Sequence, residues 1–140
     1  VGMLYDRYTT RILLYYGGLV MLMPIWCIFL FFFCLGNFGF PGTVNFVGEL
    51  LIFIGSFVVN NIIIFLSCIG LFFTLIYSLF LYTRLSNGTI KVLFIRFFSD
   101  ISRREVVVLF PLFFFSIILG LFPNLFFDFS FSSLLYIYFF

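Results

Sequence analysis

Residues 36–49 read Gly36-Asn37-Phe38-Gly39-Phe40-Pro41-Gly42-Thr43-Val44-Asn45-Phe46-Val47-Gly48-Glu49. An apolar run leads into this stretch from Pro24, and another leaves it as far as Phe57. As one straight helix, 24–57 would be about 51 Å long, against a hydrocarbon core of about 30 Å. Pro41 removes a backbone donor and clashes with the preceding turn, while Gly39 and Gly42 accept positive φ. A break at Gly39, Pro41 and Gly42 is therefore expected, leaving half-helices 24–35 and 43–57. Each half is too short to cross a membrane alone, so the two are read as one discontinuous span.

Composition requires a membrane setting. The 140 residues are 65% hydrophobic and 9% charged, with a mean hydropathy of +1.33. Soluble domains run near 25% charged, so twelve charged side chains cannot solvate a surface around so apolar a chain. A soluble globular enzyme and a disordered chain are both excluded. With no histidine, His-based triads and His-ligated metal or haem sites are excluded too. Cys27, Cys34 and Cys68 lie in apolar runs, which argues against a disulfide framework or a cysteine metal site. Cys27 and Cys34, seven apart on one face, are read as apolar packing residues rather than a redox pair. A net charge of +2 is too small for a nucleic-acid binder. The opening Val-Gly-Met-Leu-Tyr-Asp-Arg carries no basic segment ahead of an apolar one, so no signal peptide is read there. Its first residue, Val1, suggests a processed, split or unusually initiated chain, or a fragment.

The basic residues fall in two clusters: Arg7 and Arg11, then Arg84, Lys91, Arg96, Arg103 and Arg104. No lysine or arginine lies in 12–83. Positive charge marks the side from which membrane chains insert, so clusters on one side are separated by an even number of spans. The broken span and an uncharged span at 61–83 supply that even number. Ser67, Gly70, Thr74 and Ser78 recur along 61–83 at helical spacing, a small-residue stripe suited to packing. Ser102 and Glu105 have capping-box spacing ahead of a third span, which Pro123 ends and Pro111 is expected to bend. Asp6, Arg7 and Arg11 are read as a solvated group with local ion pairs, and Arg103 and Arg104 as headgroup anchors.

The fold class that follows is all-α integral membrane, with three transmembrane spans of which the first is broken. The divisions are a loop and interfacial helix at 1–23, the broken span at 24–57, and a span at 61–83. A basic loop at 84–104, a span at 105–123 and an aromatic tail at 124–140 follow. In the interfacial helix, Tyr15 and Tyr16 are expected at headgroup level. A competing reading makes 12–35 a full span and places the two clusters on opposite faces.

Apart from tyrosine and cysteine, Glu49 is the one ionisable side chain in 12–83. A charge at the bilayer centre costs roughly 3 kcal/mol on insertion scales. Asn45, four residues earlier, shares its helical face, and Thr43 lies near the helix start. The break exposes backbone N–H and C=O groups, tolerated at membrane depth only inside protein or around water. Glu49, Asn45 and Thr43 together suggest a hydrated proton or cation site. Low dielectric penalises the charged form, so the carboxyl is expected to load and release protons near neutral pH. The bland alternative is a permanently neutral carboxyl that glues helices together.

At these residues the sequence resembles a known family. Leu4-Tyr5-Asp6-Arg7 with Thr10-Arg11, Gly17-Gly18-Leu19-Val20, Gly39-Phe40-Pro41-Gly42-Thr43 and Asn45-Phe46-Val47-Gly48-Glu49 carry the likeness. So do Ser78-Leu79 with Tyr82, and Asp100-Ile101-Ser102-Arg103-Arg104-Glu105. They resemble the antiporter-like membrane subunits of respiratory complex I. The resemblance covers nearly the whole chain and weakens after Asp128. It implies the C-terminal part of an antiporter-like helix bundle, coupled to NADH:ubiquinone oxidoreduction. Glu49 matches the family's ionisable group of the output-side half-channel. The family's other functional residues, a glutamate and lysines on earlier helices, have no counterpart here. No redox chemistry or metal is implied in this chain itself; flavin, iron–sulfur clusters and ubiquinone belong to partner subunits. Implied partners are the missing N-terminal portion, neighbouring antiporter-like subunits and lipids. The implied location is the mitochondrial inner membrane, with the basic loops on the matrix side. A subunit of a related multi-subunit cation/proton antiporter is the further alternative.

Overall fold

The computed structural model describes residues 2–90, 99–128 and 130–131. Lys91 and Arg96 of the expected basic loop, and most of the aromatic tail, lie outside the described residues. Helix α1 (Gly2–Tyr8) opens the chain, followed by a single 3-10 turn (Leu13–Tyr15) and a short α2 (Leu19–Leu22). Then come α3 (Pro24–Asn37), α4 (Val44–Val59), α5 (Asn61–Ser86) and α6 (Arg103–Leu121).

Each boundary has a local cause. Pro24 starts α3 at a position where the missing N–H costs nothing. Asn60 caps α5 by accepting from the Ile62 N–H at 2.9 Å. The Ser102 N–H donates to Glu105 Oε2 at 2.7 Å, the reciprocal half of the capping box expected from Ser102 and Glu105. Helix α5 runs past the expected end at Thr83 to Ser86, because Arg84 suits a helix C-terminus. Pro111 sits inside α6 without ending it.

At 1.5 Å per residue, α3 is about 21 Å long and α4 about 24 Å, both short of the hydrocarbon thickness. Helices α5 and α6, at about 39 and 29 Å, are long and apolar enough to cross. Contacts show how α3 and α4 are arranged. Helix α5 runs antiparallel along both: Tyr82 meets Phe31, Tyr77 meets Asn37, and Ile64 shares a cleft with Phe57. Helix α6 runs parallel along both: Phe113 meets Phe29 and Phe32, and Gly120 meets Gly42. This monotonic register means that α3 and α4 are stacked end to end.

The buried core sits at one end, where Leu4, Tyr16, Leu19, Met23, Trp26, Cys27 and Leu85 cluster. Elsewhere the long helices expose apolar faces, such as Phe65 at 70% and Val107 at 70%. Apolar surface on that scale needs lipid or further helices.

At the core end the structure corrects several expectations. Residues 12–23 are not one helix, and 12–35 is not one continuous helix. Gly18 adopts φ 67° and Met23 φ −136°, so the helical register is interrupted twice. Gly18 also donates its N–H to the Asn87 carbonyl at 3.1 Å, and a Cβ there would overlap Gly88 O. The segment is thus pinned to the end of α5. Tyr16 is buried, and its hydroxyl donates to the Thr10 carbonyl at 2.7 Å.

Arg7 forms no local pair. It bonds Glu105, 98 positions away, at 2.6 Å, and donates to the Ser99 carbonyl at 2.5 Å. The Arg11 guanidinium lies over the Tyr5 ring, 4.5 Å from its centroid. Asp100 accepts from the Ile25 N–H at 3.3 Å, joining the same end to the start of α3. Arg84 lies beside Tyr16 and Gly17. Arg7, Arg84 and the start of α6 at Arg103 therefore lie at one end of the described bundle.

Candidate functional site: the helix break

Helix α3 stops at Asn37 because Gly39, at φ 69°, turns the chain out of the helix. Its last carbonyls are closed locally, Gly36 O by the Gly39 N–H at 3.3 Å and Leu35 O by the Phe40 N–H at 3.1 Å. Gly42, at φ 98°, takes a second left-handed step that proline and β-branched residues cannot make cheaply. Thr43 then starts α4 from extended backbone. Its hydroxyl donates to the Phe40 carbonyl at 2.8 Å, so no side chain caps the first turn of α4. The break thus leaves the first N–H groups of α4 without a side-chain cap, a place for water or an anion-like partner.

Asn45 ties the two halves together. Its Nδ2 donates to the Gly36 carbonyl at 2.8 Å. Thr43 is buried, at 4% exposure. Beside them opens a niche of about 240 Å³ lined by Gly36, Asn37, Thr43, Asn45 and Ser116, with Phe32 and Phe33 as its apolar floor. The polar groups come from three helices and the break. Asn37 also donates to the Tyr77 hydroxyl at 2.7 Å, which links the niche to α5.

Glu49 lies close to the break but not in the niche. Its half-buried carboxyl reaches back over one and a half turns to rest against Gly39, where a Cβ would overlap it. Among the described residues the carboxyl has no hydrogen-bond or ion-pair partner. The structure therefore brings Thr43 and Asn45 together around one cavity and sets Glu49 on the adjoining flank of the same break. Reasoning from sequence missed Asn37, Tyr77, Ser116 and Gly120. A signal for two of them was present: Ser116 and Gly120 form a small-xxx-small pair, the spacing that lets helix backbones approach. Among the described residues no group of three or more His, Cys, Asp or Glu could hold a metal ion.

Residues 1–77 match the family described as NADH:quinone oxidoreductase/Mrp antiporter, TM. Relatives named NADH-ubiquinone oxidoreductase chain 4 are similar over most of the chain. The one from Marchantia polymorpha is 45% identical across 90% of this chain and 26% of its own length. The one from Chondrus crispus is 41% identical across 89% of this chain and 25% of its own length. That from Wickerhamomyces canadensis is 43% identical across 97% and 28%. The chain thus spans about a quarter of the length of the curated relatives it matches.

Proposed function

The chain belongs to the NADH:quinone oxidoreductase/Mrp antiporter membrane family, and we propose that it serves in respiratory complex I as part of an antiporter-like, proton-translocating subunit of the membrane arm. In this reading it forms the C-terminal part of that subunit and supplies the output side of its proton path. The missing N-terminal portion and neighbouring antiporter-like subunits complete the path. Electron transfer through flavin and iron–sulfur clusters to ubiquinone takes place in partner subunits. The assembly sits in the mitochondrial inner membrane, with Arg7, Arg84, Arg103 and Arg104 facing the matrix, where the positive-inside rule puts them.

The observation that carries the proposal is a lone carboxyl against a broken helix. Glu49 stands in a stretch, 12–83, with no other acid or base apart from tyrosine and cysteine, and its carboxyl rests on Gly39. A proton relay needs a group that changes charge, a route for water, and backbone not locked into helix. Glu49 supplies the first. The niche at Thr43 and Asn45 supplies the second, and residues 38–43 the third. The carboxyl takes a proton from the polar axis of the arm and releases it through the hydrated break towards the far side.

Glu49→Gln tests this, because the amide keeps size and polarity but carries no exchangeable charge. Assembly of the complex is expected to survive, with slower coupled proton transfer in sealed vesicles. Parent-level transfer would remove Glu49 from the path and leave the neutral-glue role. The family also includes cation/proton antiporters; purification with flavin and iron–sulfur subunits, rather than with antiporter subunits, separates the two settings.

A further inference from the structure

We infer that α6 forms the second wall of the proton path, with Ser116 a positioning residue that holds a water chain and Gly120 the contact that sets its distance. This rests on the proton-path reading above and extends it to a helix outside the broken span.

The niche offers water both acceptors and donors. The Thr43 hydroxyl proton is committed to Phe40 O, and the Ser116 hydroxyl proton to Phe113 O at 2.8 Å. Both oxygens keep lone pairs that can only accept. Asn37 and Asn45 each spend one N–H on Tyr77 and Gly36 respectively, leaving a second N–H to donate and an amide oxygen to accept. The volume of about 240 Å³ has room for several waters. Waters between these acceptors and the free amide and helix-start N–H groups form a hydrogen-bonded chain along which a proton can pass.

Gly120 lies four residues beyond Ser116, on the same face of α6. A Cβ at Gly120 would stand 2.6 Å from the Thr43 carbonyl carbon and 2.7 Å from that of Gly42. These are backbone atoms that cannot swing aside. Ordinary carbon contacts are near 3.5–4.0 Å, so alanine would part α6 from the break by about 1 Å. That would carry Ser116 away from Thr43 and widen the niche.

The test uses the intact complex in sealed vesicles, with assembly followed on native gels. Ser116→Ala removes one oxygen without adding bulk, and is expected to slow coupled proton transfer about fivefold, the worth of one hydrogen bond. It should also raise the solvent deuterium isotope effect, as proton movement becomes limiting. Ser116→Thr restores the acceptor and should restore both readouts. Gly120→Ala should slow transfer in the same way; if it blocks assembly, the Ser116 pair decides alone. Glu49→Gln runs alongside. Parent-like Ser116→Ala with impaired Glu49→Gln overturns the role of α6 and leaves the proton path standing. Parent-like transfer in both overturns the path as well. A Ser116→Thr variant as slow as Ser116→Ala overturns the acceptor argument.

Discussion

Three glycines around the break allow one perturbation to be split into its causes. Gly36 has ordinary helical backbone, and a Cβ there would meet nothing within 4 Å. Gly42 has φ 98° and equally open surroundings, so alanine there meets strain alone. Gly39 has φ 69°, and its Cβ would also overlap the Glu49 carboxyl. An L-residue in left-handed backbone costs about 1–2 kcal/mol. That lowers the occupancy of the observed break by about five- to thirtyfold relative to relaxed alternatives. Gly36→Ala should be neutral or slightly favourable, since alanine is the better helix former. Gly42→Ala should slow coupled proton transfer through strain while leaving the carboxyl in place. Gly39→Ala should add a second effect, because the flexible end of Glu49 must leave its seat. The carbonyl stretching band of Glu49, identified by its loss in Glu49→Gln, should shift in Gly39→Ala and stay put in Gly36→Ala and Gly42→Ala. An unmoved band in Gly39→Ala would show that Glu49 does not rest on the break, and the site as described would be wrong.

The polar tie at the core end gives another expectation. Arg7 and Glu105 are partly exposed, at 18% and 23%, so their pairing is worth about 1 kcal/mol rather than the value of a buried pair. A double-mutant cycle of Arg7→Ala and Glu105→Gln, read by amide hydrogen exchange in α1, should show that coupling; additive effects would deny it. Asn45→Ala should speed exchange of the Gly39 and Phe40 amides about fivefold, since one hydrogen bond between the half-helices is lost. Unchanged exchange would mean that Asn45 does not hold the halves together. Tyr16→Phe removes the donor to Thr10 O and should loosen 9–18 by about 1 kcal/mol, seen as faster exchange there and not in α4.

What the sequence determined is what short-range physics controls. Pro41 with Gly39 and Gly42 places the break within two residues, because a missing N–H and positive φ act on the backbone locally. Apolar length and the absence of charge mark α5 and α6 for the same reason, and Ser102 with Glu105 starts α6 by a bond three residues long. Glu49 stood out because any charge in an uncharged stretch of membrane chain is costly wherever it packs. Tertiary structure alone decided which distant groups share a place. Arg7 meets Glu105, Tyr16 turns inward, Asn37 reaches Tyr77, and Gly120 lets α6 touch the break beside Ser116. Pairings of this kind depend on how whole helices lie against each other, and periodicity within one helix carries its own faces but not the identity of the neighbour that covers them.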